Sequence, residues 1–219
     1  MSSIVVLCRH GNTFNKGDKV VMVGAREDLP LTAFGEEQAK QLGASLREAT
    51  VMPSRIISGP LKRTKVFATI VAEETAASEP VKVDSRLIEF DYGAWSGLSD
   101  QEIVALSGED ALLRWQNESL RPKDVTFYPS VEMAQVEADL FLSELSELSG
   151  CTVVVTSNGR LREFGHLLAA AHAGKPKSFK VKTGHSCVLT RSGGAWKIVG
   201  WDLSPEELRE ELGRISGPV

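Results

Sequence analysis

Short continuous apolar runs alternate along the chain with stretches in which apolar positions recur about every 3.6 residues. Residues 4–7 (IVVL), 54–58 (SRIIS), 81–84 and the β-branched run CTVVVT beginning at Cys151 read as strands. Between them, residues 35–49 place Ala39, Leu42 and Leu46 on one helical face, with Thr32 positioned to cap the entry. Residues 61–75 predict a second helix with Val66 and Ile70 turned inward and Phe67 beside them. Residues 131–148 form a long amphipathic pattern, and residues 160–173 another helix. Toward the end, residues 187–191 and 196–201 predict a hairpin turning at Ser192-Gly193-Gly194, followed by a short helix over 205–212.

Strands alternating with helices in this way predict an α/β fold, a three-layer sandwich with a mainly parallel central sheet, carried by a single domain over residues 1–219. Residues 99–130, which hold Trp115, Pro122 and Pro129, read as short-helix and loop material, and a segment this irregular between regular units is expected to lie over a site as a lid or cap.

Composition narrows the picture without naming a chemistry. Of 219 residues, 42% are hydrophobic and 25% charged, the profile of a soluble globular chain. A formal charge of −4 supplies no general basic face, so neither nucleic acid nor an anionic membrane is an expected partner. No apolar run reaches the roughly 18 residues of a spanning helix, and the N-terminus lacks a secretory pattern, which makes a cytoplasmic location the expectation. The pattern leaves the oligomeric state open. Cys8, Cys151 and Cys187 lie at or beside strand-like runs without metal-ligand spacing and read as buried reduced thiols. His166 and His172, six apart, lack the spacing that would put two metal ligands on one helical face and read as ordinary helix residues.

Two of the strands end on polar groups, LCRHGNT and VVTSNG, and in open α/β sheets ligands sit at the carboxyl ends of strands. Arg9, His10, Asn12, Arg63 and Glu89 each follow a strand-like run or open a helix, so one sheet end can collect them. Two guanidiniums offer planar donor forks that match phosphate oxygens, an imidazole can attack phosphorus, and a carboxylic acid can protonate a leaving oxygen. Such a set needs no metal and no cofactor, because phosphoryl transfer depends chiefly on positioning and charge neutralisation.

LCRHGNT resembles the RHG signature of the histidine phosphatase superfamily, in its phosphoglycerate-mutase-like branch. DLPLTAFGEEQAKQLG (28–43) is similar to the segment after that family's first loop, SGPLKRTKVFA (58–68) to its second-arginine motif, and RLIEFDYGAWSG (86–97) to its acid motif. The resemblance implies a phosphoglycerate-mutase-like fold, His10 as a nucleophile that becomes phosphorylated, Arg9 and Arg63 gripping the phosphoryl oxygens, and Glu89 as proton donor. Gly11 is expected to leave room for close approach of the phosphate. Asn12 and Asn15 are expected near it, Asn15 falling one position earlier than the asparagine the family often places after RHG.

The chain departs from the family where a second pocket histidine, in a motif like SHGG followed two residues later by arginine, is usual. Aligned without a gap through Arg162, TSNGRLR puts Ser157 at that position with Asn158 next to it. Either can donate hydrogen bonds to phosphate, but neither carries a charge. His185, in KTGHSCVL, is a candidate replacement, weighed against an ordinary residue at a strand start. Arg160 and Arg162, at a helix start just after the pocket strand, read first as solvated or salt-bridged arginines, with the reach of one of them to a substrate anion as the alternative. The tryptophans read as core or lid packing, Trp115 being the one placed to line a substrate mouth. The implied activity is a metal-independent phosphomonoesterase acting on a small phosphorylated metabolite through a phosphohistidine. Two alternatives stand beside it: a mutase-type phosphotransferase, against which the middle of the chain offers only Lys123 in place of a basic substrate-gripping segment, and a noncatalytic phosphate-ligand-binding protein.

Overall fold

The computed structural model describes residues 3–170 and 178–216. Six strands form one sheet: β1 (Ile4–Arg9), β2 (Pro53–Ser58), β3 (Lys82–Val83), β4 (Cys151–Thr156), β5 (Ser186–Ser192) and β6 (Ala195–Leu203). Their order is β3-β2-β4-β1-β5-β6. The first four run parallel, β1 pairing with β4 from Ile4↔Cys151 to Arg9↔Thr156, while β5 and β6 form an antiparallel hairpin on the other side of β1.

Side-chain alternation on the strands divides the core in two. Val6 and Cys8 of β1, Ile56 of β2 and Val153 and Val155 of β4 face one side, packing on α1 (Ala33–Glu48), α2 (Lys62–Glu74) and α7 (Pro205–Ser216) through Leu42, Phe67 and Leu208. Val5, Leu7 and Val154 face the other, against α5 (Val131–Ser146) and α6 (Asn158–Ala170) through Phe141, Leu142, Leu161 and Phe164. The three expected layers result. Covered on both faces, β4 is buried at all six positions, which accounts for its unbroken apolar sequence. Thr32 caps α1 as expected, accepting from Gly35 N at 3.1 Å.

The departures from the sequence reading are local. On α2, Phe67 is fully buried and Val66 is 39% exposed, so the inward face is one residue later than the pattern suggested. Helix α6 starts at Asn158 rather than 160, and residues 171–173, with His172, lie outside the described residues. The 99–130 segment is made of short helices and loops, as expected. It forms α3 (Asp100–Ser107), α4 (Glu109–Leu113) and a π turn at Arg114–Glu118. Ser99 and Glu102 build a capping box at its entry, a signal present in the sequence as SDQE. A third apolar cluster holds this segment to the body, with Tyr92, Trp115 and Phe127 packed edge to face at centroid distances of 5.0 to 5.8 Å. No helix among the described residues is long and apolar enough to cross a membrane.

Candidate active site

The carboxyl ends of β1, β2 and β4 open on one cavity of about 990 Å³. Arg9 ends β1 and His10 follows it, its backbone N–H continuing the ladder to Thr156 O at 3.0 Å. Arg63 stands in the first turn of α2, immediately after β2. Asn158 opens α6 after β4. All four line the cavity, together with Glu89, Asn12 and Asn15.

The imidazole of His10 is buried and its orientation is fixed. Nδ1 lies 2.8 Å from Gly11 O, an acceptor only, so Nδ1 carries the proton and Nε2 the lone pair. Arg63 Nε donates to that Nε2 at 3.2 Å. The remaining Arg63 nitrogens are held by Glu27 O at 2.9 Å and Gly24 O at 2.8 Å. Arg9 is anchored through one terminal nitrogen to Val181 O at 2.7 Å, and its buried Nε has no protein partner. Burial, followed by the Arg63 and Arg9 guanidiniums, holds the His10 pKa well below 6.5, so the ring is neutral near pH 7. A neutral imidazole with its lone pair beside a guanidinium has the chemistry to attack an electrophilic centre bearing negative oxygens.

Glu89 receives backbone donors on both oxygens, Phe90 N at 2.9 Å and Gly159 N at 3.1 Å. It lies beside the Tyr92 hydroxyl over Gly159: a Cβ at Gly159 would sit 2.3 Å from Glu89 Oε1 and 2.9 Å from the Tyr92 oxygen. A side chain at position 159 would therefore dislodge the carboxyl group. Tyr92 is buried, which raises its pKa well above 10 and keeps it a neutral hydroxyl.

Four of the residues singled out from the sequence do not line the cavity: Gly11, Ser157, His185 and Arg160. Gly11 faces α1, where an added Cβ would lie 2.3 Å from Gly35 O, so its small size serves the contact between this loop and the helix rather than phosphate access. Ser157 is fully buried with an unpartnered hydroxyl, and its carbonyl accepts the first helical bond from Leu161 N. The cavity position next to the strand end belongs to Asn158, whose Oδ1 accepts from Val181 N at 3.0 Å. His185 turns to β6, with Nδ1 3.2 Å from Asp202 Oδ1 and 3.0 Å from Asp202 O, and does not replace a second pocket histidine.

Asn12 is clamped by Gln38, which accepts from Asn12 N at 2.8 Å and donates to Thr183 O at 2.8 Å. Asn15 sits in the exposed part of the loop, its N–H on Asp18 Oδ2 at 2.6 Å. Arg162 lies one helical turn after Asn158 and lines the cavity, whereas Arg160 pairs with Glu137 at 2.7 Å away from it. Lys180 also lines the cavity, and no sequence motif pointed to it. Trp115 lines it too, on the side of the π turn. Cys8 is fully buried, which pushes its thiol up to about 12 and removes it as a nucleophile. Among the described residues no group of three or more His, Cys, Asp or Glu side chains is placed to hold a metal ion.

With this geometry in place, the comparisons with known proteins are consistent with one another. The chain belongs to the histidine phosphatase superfamily, branch 1, whose family model matches residues 5–204. Among curated relatives it is 38% identical over 106 residues to a probable phosphoglycerate mutase GpmB of Salmonella choleraesuis, covering 48% of this chain and 45% of that one. It is 33% identical over 126 residues to a 2,3-bisphosphoglycerate-dependent phosphoglycerate mutase of Bifidobacterium longum, covering 56% of this chain and 49% of that one. The matches thus span about half the length of these relatives. Among solved structures, a mycobacterial glucosyl-3-phosphoglycerate phosphatase superposes with a TM-score of 0.74 at 21% identity, covering 92% of this chain and 99% of that one. The α-ribazole phosphatase of Shigella flexneri gives 0.67 at 22% identity, covering 92% and 96%. These likenesses establish the phosphoglycerate-mutase-like α/β fold.

Proposed function

We propose that the protein is a phosphomonoesterase that hydrolyses a small phosphorylated metabolite through a phosphohistidine on His10. The observation that carries this reading is the placement of His10 Nε2, deprotonated by its own Nδ1–H contact to Gly11 O and set 3.2 Å from Arg63 Nε at the floor of the cavity. In the first step Nε2 attacks phosphorus, the bond from phosphorus to the ester oxygen breaks, and Glu89, as the acid, gives its proton to the departing alkoxide. Arg9 and Arg63 hold the equatorial oxygens, whose charge the guanidiniums balance throughout. In the second step water attacks the phosphohistidine, Glu89 takes the proton from that water, and the nitrogen–phosphorus bond breaks to release inorganic phosphate. No step requires a group beyond these side chains.

Asn158 supplies a neutral donor where the family usually has a histidine. Its Oδ1 is engaged by Val181 N, so its amide nitrogen is the part left for the phosphoryl group. Loss of one donor's charge costs about 10²- to 10³-fold in rate, small beside the total acceleration of phosphate-ester hydrolysis. A mutase-type transfer is the second reading, favoured by the names of the curated relatives matched at 38% and 33% identity. The test is release of inorganic phosphate from an aryl phosphate by the purified protein, with His10→Ala as control. Phosphate release abolished by that change supports the phosphatase. Movement of phosphate between hydroxyls of phosphoglycerate, faster than its loss to water, supports the mutase.

A further inference from the structure

Behind the cavity wall, Arg121 and Arg160 lie over the ring of Phe90, their guanidinium carbons 4.3 and 5.2 Å from its centroid. Neither arginine lines the cavity. Arg121, on the 99–130 segment, donates to Pro129 O at 2.5 Å and pairs with Glu163 of α6 at 3.2 Å. Arg160 pairs with Glu137 of α5 at 2.7 Å and donates to Ile88 O at 3.1 Å. Glu163 is 4% exposed, and its Oε1 has no partner. An ion pair this buried adds little net stability, because desolvation offsets the attraction and apolar side chains of the same volume would hold the segment as well. What sets this cluster apart is the residue it presses on.

Phe90 is buried and touches the candidate acid through both its backbone and its ring. Its N–H donates to Glu89 Oε1 at 2.9 Å. Its carbonyl accepts from Ala25 N at 2.9 Å, and the carbonyl of the preceding residue, Gly24, holds Arg63 Nη2 at 2.8 Å. The ring rests on Gly159, where an added Cβ would lie 2.9 Å from Phe90 Cδ2, and the Gly159 N–H donates to Glu89 Oε2 at 3.1 Å. A shift of this ring therefore bears on Glu89 through both of its backbone donors. A latch for the 99–130 segment needs only the Glu163 pair and the Pro129 contact. It does not account for a planar guanidinium laid on Phe90, a contact that holds the ring in place by cation–π attraction.

We propose that Arg121 is a positioning residue for Glu89: through Phe90 it makes the seating of the acid depend on the docking of the 99–130 segment. This rests on the phosphomonoesterase reading above, in which Glu89 protonates the leaving oxygen, and the test separates the two. Arg121→Lys keeps a charge facing Glu163 but lacks the planar guanidinium, and Arg121→Met is the stronger change where it folds. In Arg121→Lys, kcat on an alkyl phosphate is expected to fall by about 10- to 10²-fold, the cost of a displacement on the order of 1 Å at a positioned group. On an aryl phosphate, whose leaving group needs less protonation, the loss should be about tenfold smaller. In a Glu89→Gln background the same change should leave the alkyl-to-aryl ratio where Glu89→Gln alone puts it, because both act on one group.

Equal losses on the two substrate types, a change confined to KM, or a full further shift of the ratio in the Glu89→Gln background overturns the proposal. If no ester is hydrolysed by the native chain, the phosphatase reading fails on its own, and amide hydrogen exchange decides the positioning. The Gly159 N–H, whose acceptor is Glu89, should then exchange about tenfold or more faster in Arg121→Lys than in the native chain. The Leu161 N–H, bonded to Ser157 O at 3.1 Å in the same helical turn, should exchange at its native rate. Unchanged exchange at Gly159, or acceleration shared with Leu161, overturns the proposal.

Discussion

Arg63 Nε points at His10 Nε2 across 3.2 Å, a donor aimed at the lone pair through which the imidazole would react. The contact is possible only for a neutral ring, because both nitrogens of an imidazolium are donors. It ties the resting nucleophile to one of the two guanidiniums proposed to grip the phosphoryl oxygens. In the proposed reaction an arriving phosphate ester would exchange this contact for two stronger ones, from nitrogen to phosphorus and from guanidinium to oxygen.

The neutral state of His10 has a measurable signature in pH. Its folded pKa lies well below 6.5 because burial and then Arg63 and Arg9 disfavour the cation. The unfolded chain binds a proton at about 6.5 and the folded one does not, so this residue makes stability fall as pH drops from about 6.5 toward the folded value. Above that window it contributes no pH dependence. In NMR the His10 ring is expected to show no titration near 6.5. The melting temperature of His10→Gln, relative to the native chain, should rise as pH is lowered through the window. An ordinary titration of the ring would contradict the site's electrostatics.

Gly159 provides a way to disturb Glu89, the proposed proton donor, without replacing it. A methyl group there meets Glu89 Oε1 at 2.3 Å, so Gly159→Ala should lower kcat on alkyl phosphates by about 10²- to 10⁴-fold, the range for loss of a positioned acid or base. Glu89→Gln should fall in the same range. Aryl phosphates, whose leaving groups need less protonation, should lose less in both variants. Equal losses on the two substrate types would argue against Glu89 as the acid.

The side-chain amide of Asn158 is held with its oxygen on Val181 N, which leaves its nitrogen for the proposed contact with the phosphoryl group. Asn158→Ala should therefore cost about 10²-fold in kcat/KM, and Asn158→Asp, which also faces the phosphate with a negative charge, should cost more. Ser157→Ala, at a fully buried position outside the cavity lining, should change kcat/KM by less than about twofold, within the small range of a change that touches no special feature. Steady-state kinetics on an aryl phosphate distinguishes the two positions.

Trp115 joins the 99–130 segment to the body through Tyr92 and Phe127 and is 3% exposed. Trp115→Ala should destabilise the fold by about 3–5 kcal/mol, the usual cost of removing a buried aromatic side chain. It should also raise KM, because the indole lines the cavity. Chemical denaturation and kinetics read the two effects separately. A raised KM with unchanged stability would mean that the segment is held by other contacts.

The parts of this site that sequence makes legible are those fixed by short-range geometry. Arg9 and His10 are delivered by the end of β1, and Arg63 by the first turn of a helix that directly follows β2, so position along the chain nearly determines position in space. Asn158 and Ser157 are harder to tell apart, since one residue at a helix start separates a side chain that lines the cavity from one that is fully buried outside it. The same 100° per residue separates buried Phe67 from exposed Val66. His185 does lie at the site end of β5, but Asp202 on the neighbouring strand draws its ring away, a tertiary contact with no trace in local pattern. Lys180 reaches the cavity from a stretch with neither helical nor strand period, and only the folded chain brings it beside Arg162.

The most direct measurement is to quench a reaction with an aryl phosphate under alkaline conditions, which preserve phosphoramidates, and to locate the bound phosphoryl group by peptide mass spectrometry. One phosphoryl group on the peptide containing His10, absent in His10→Ala and lost on standing with release of inorganic phosphate, is the predicted result. Phosphate release at full rate by His10→Ala, or a phosphoryl group trapped on a different residue, would contradict the account.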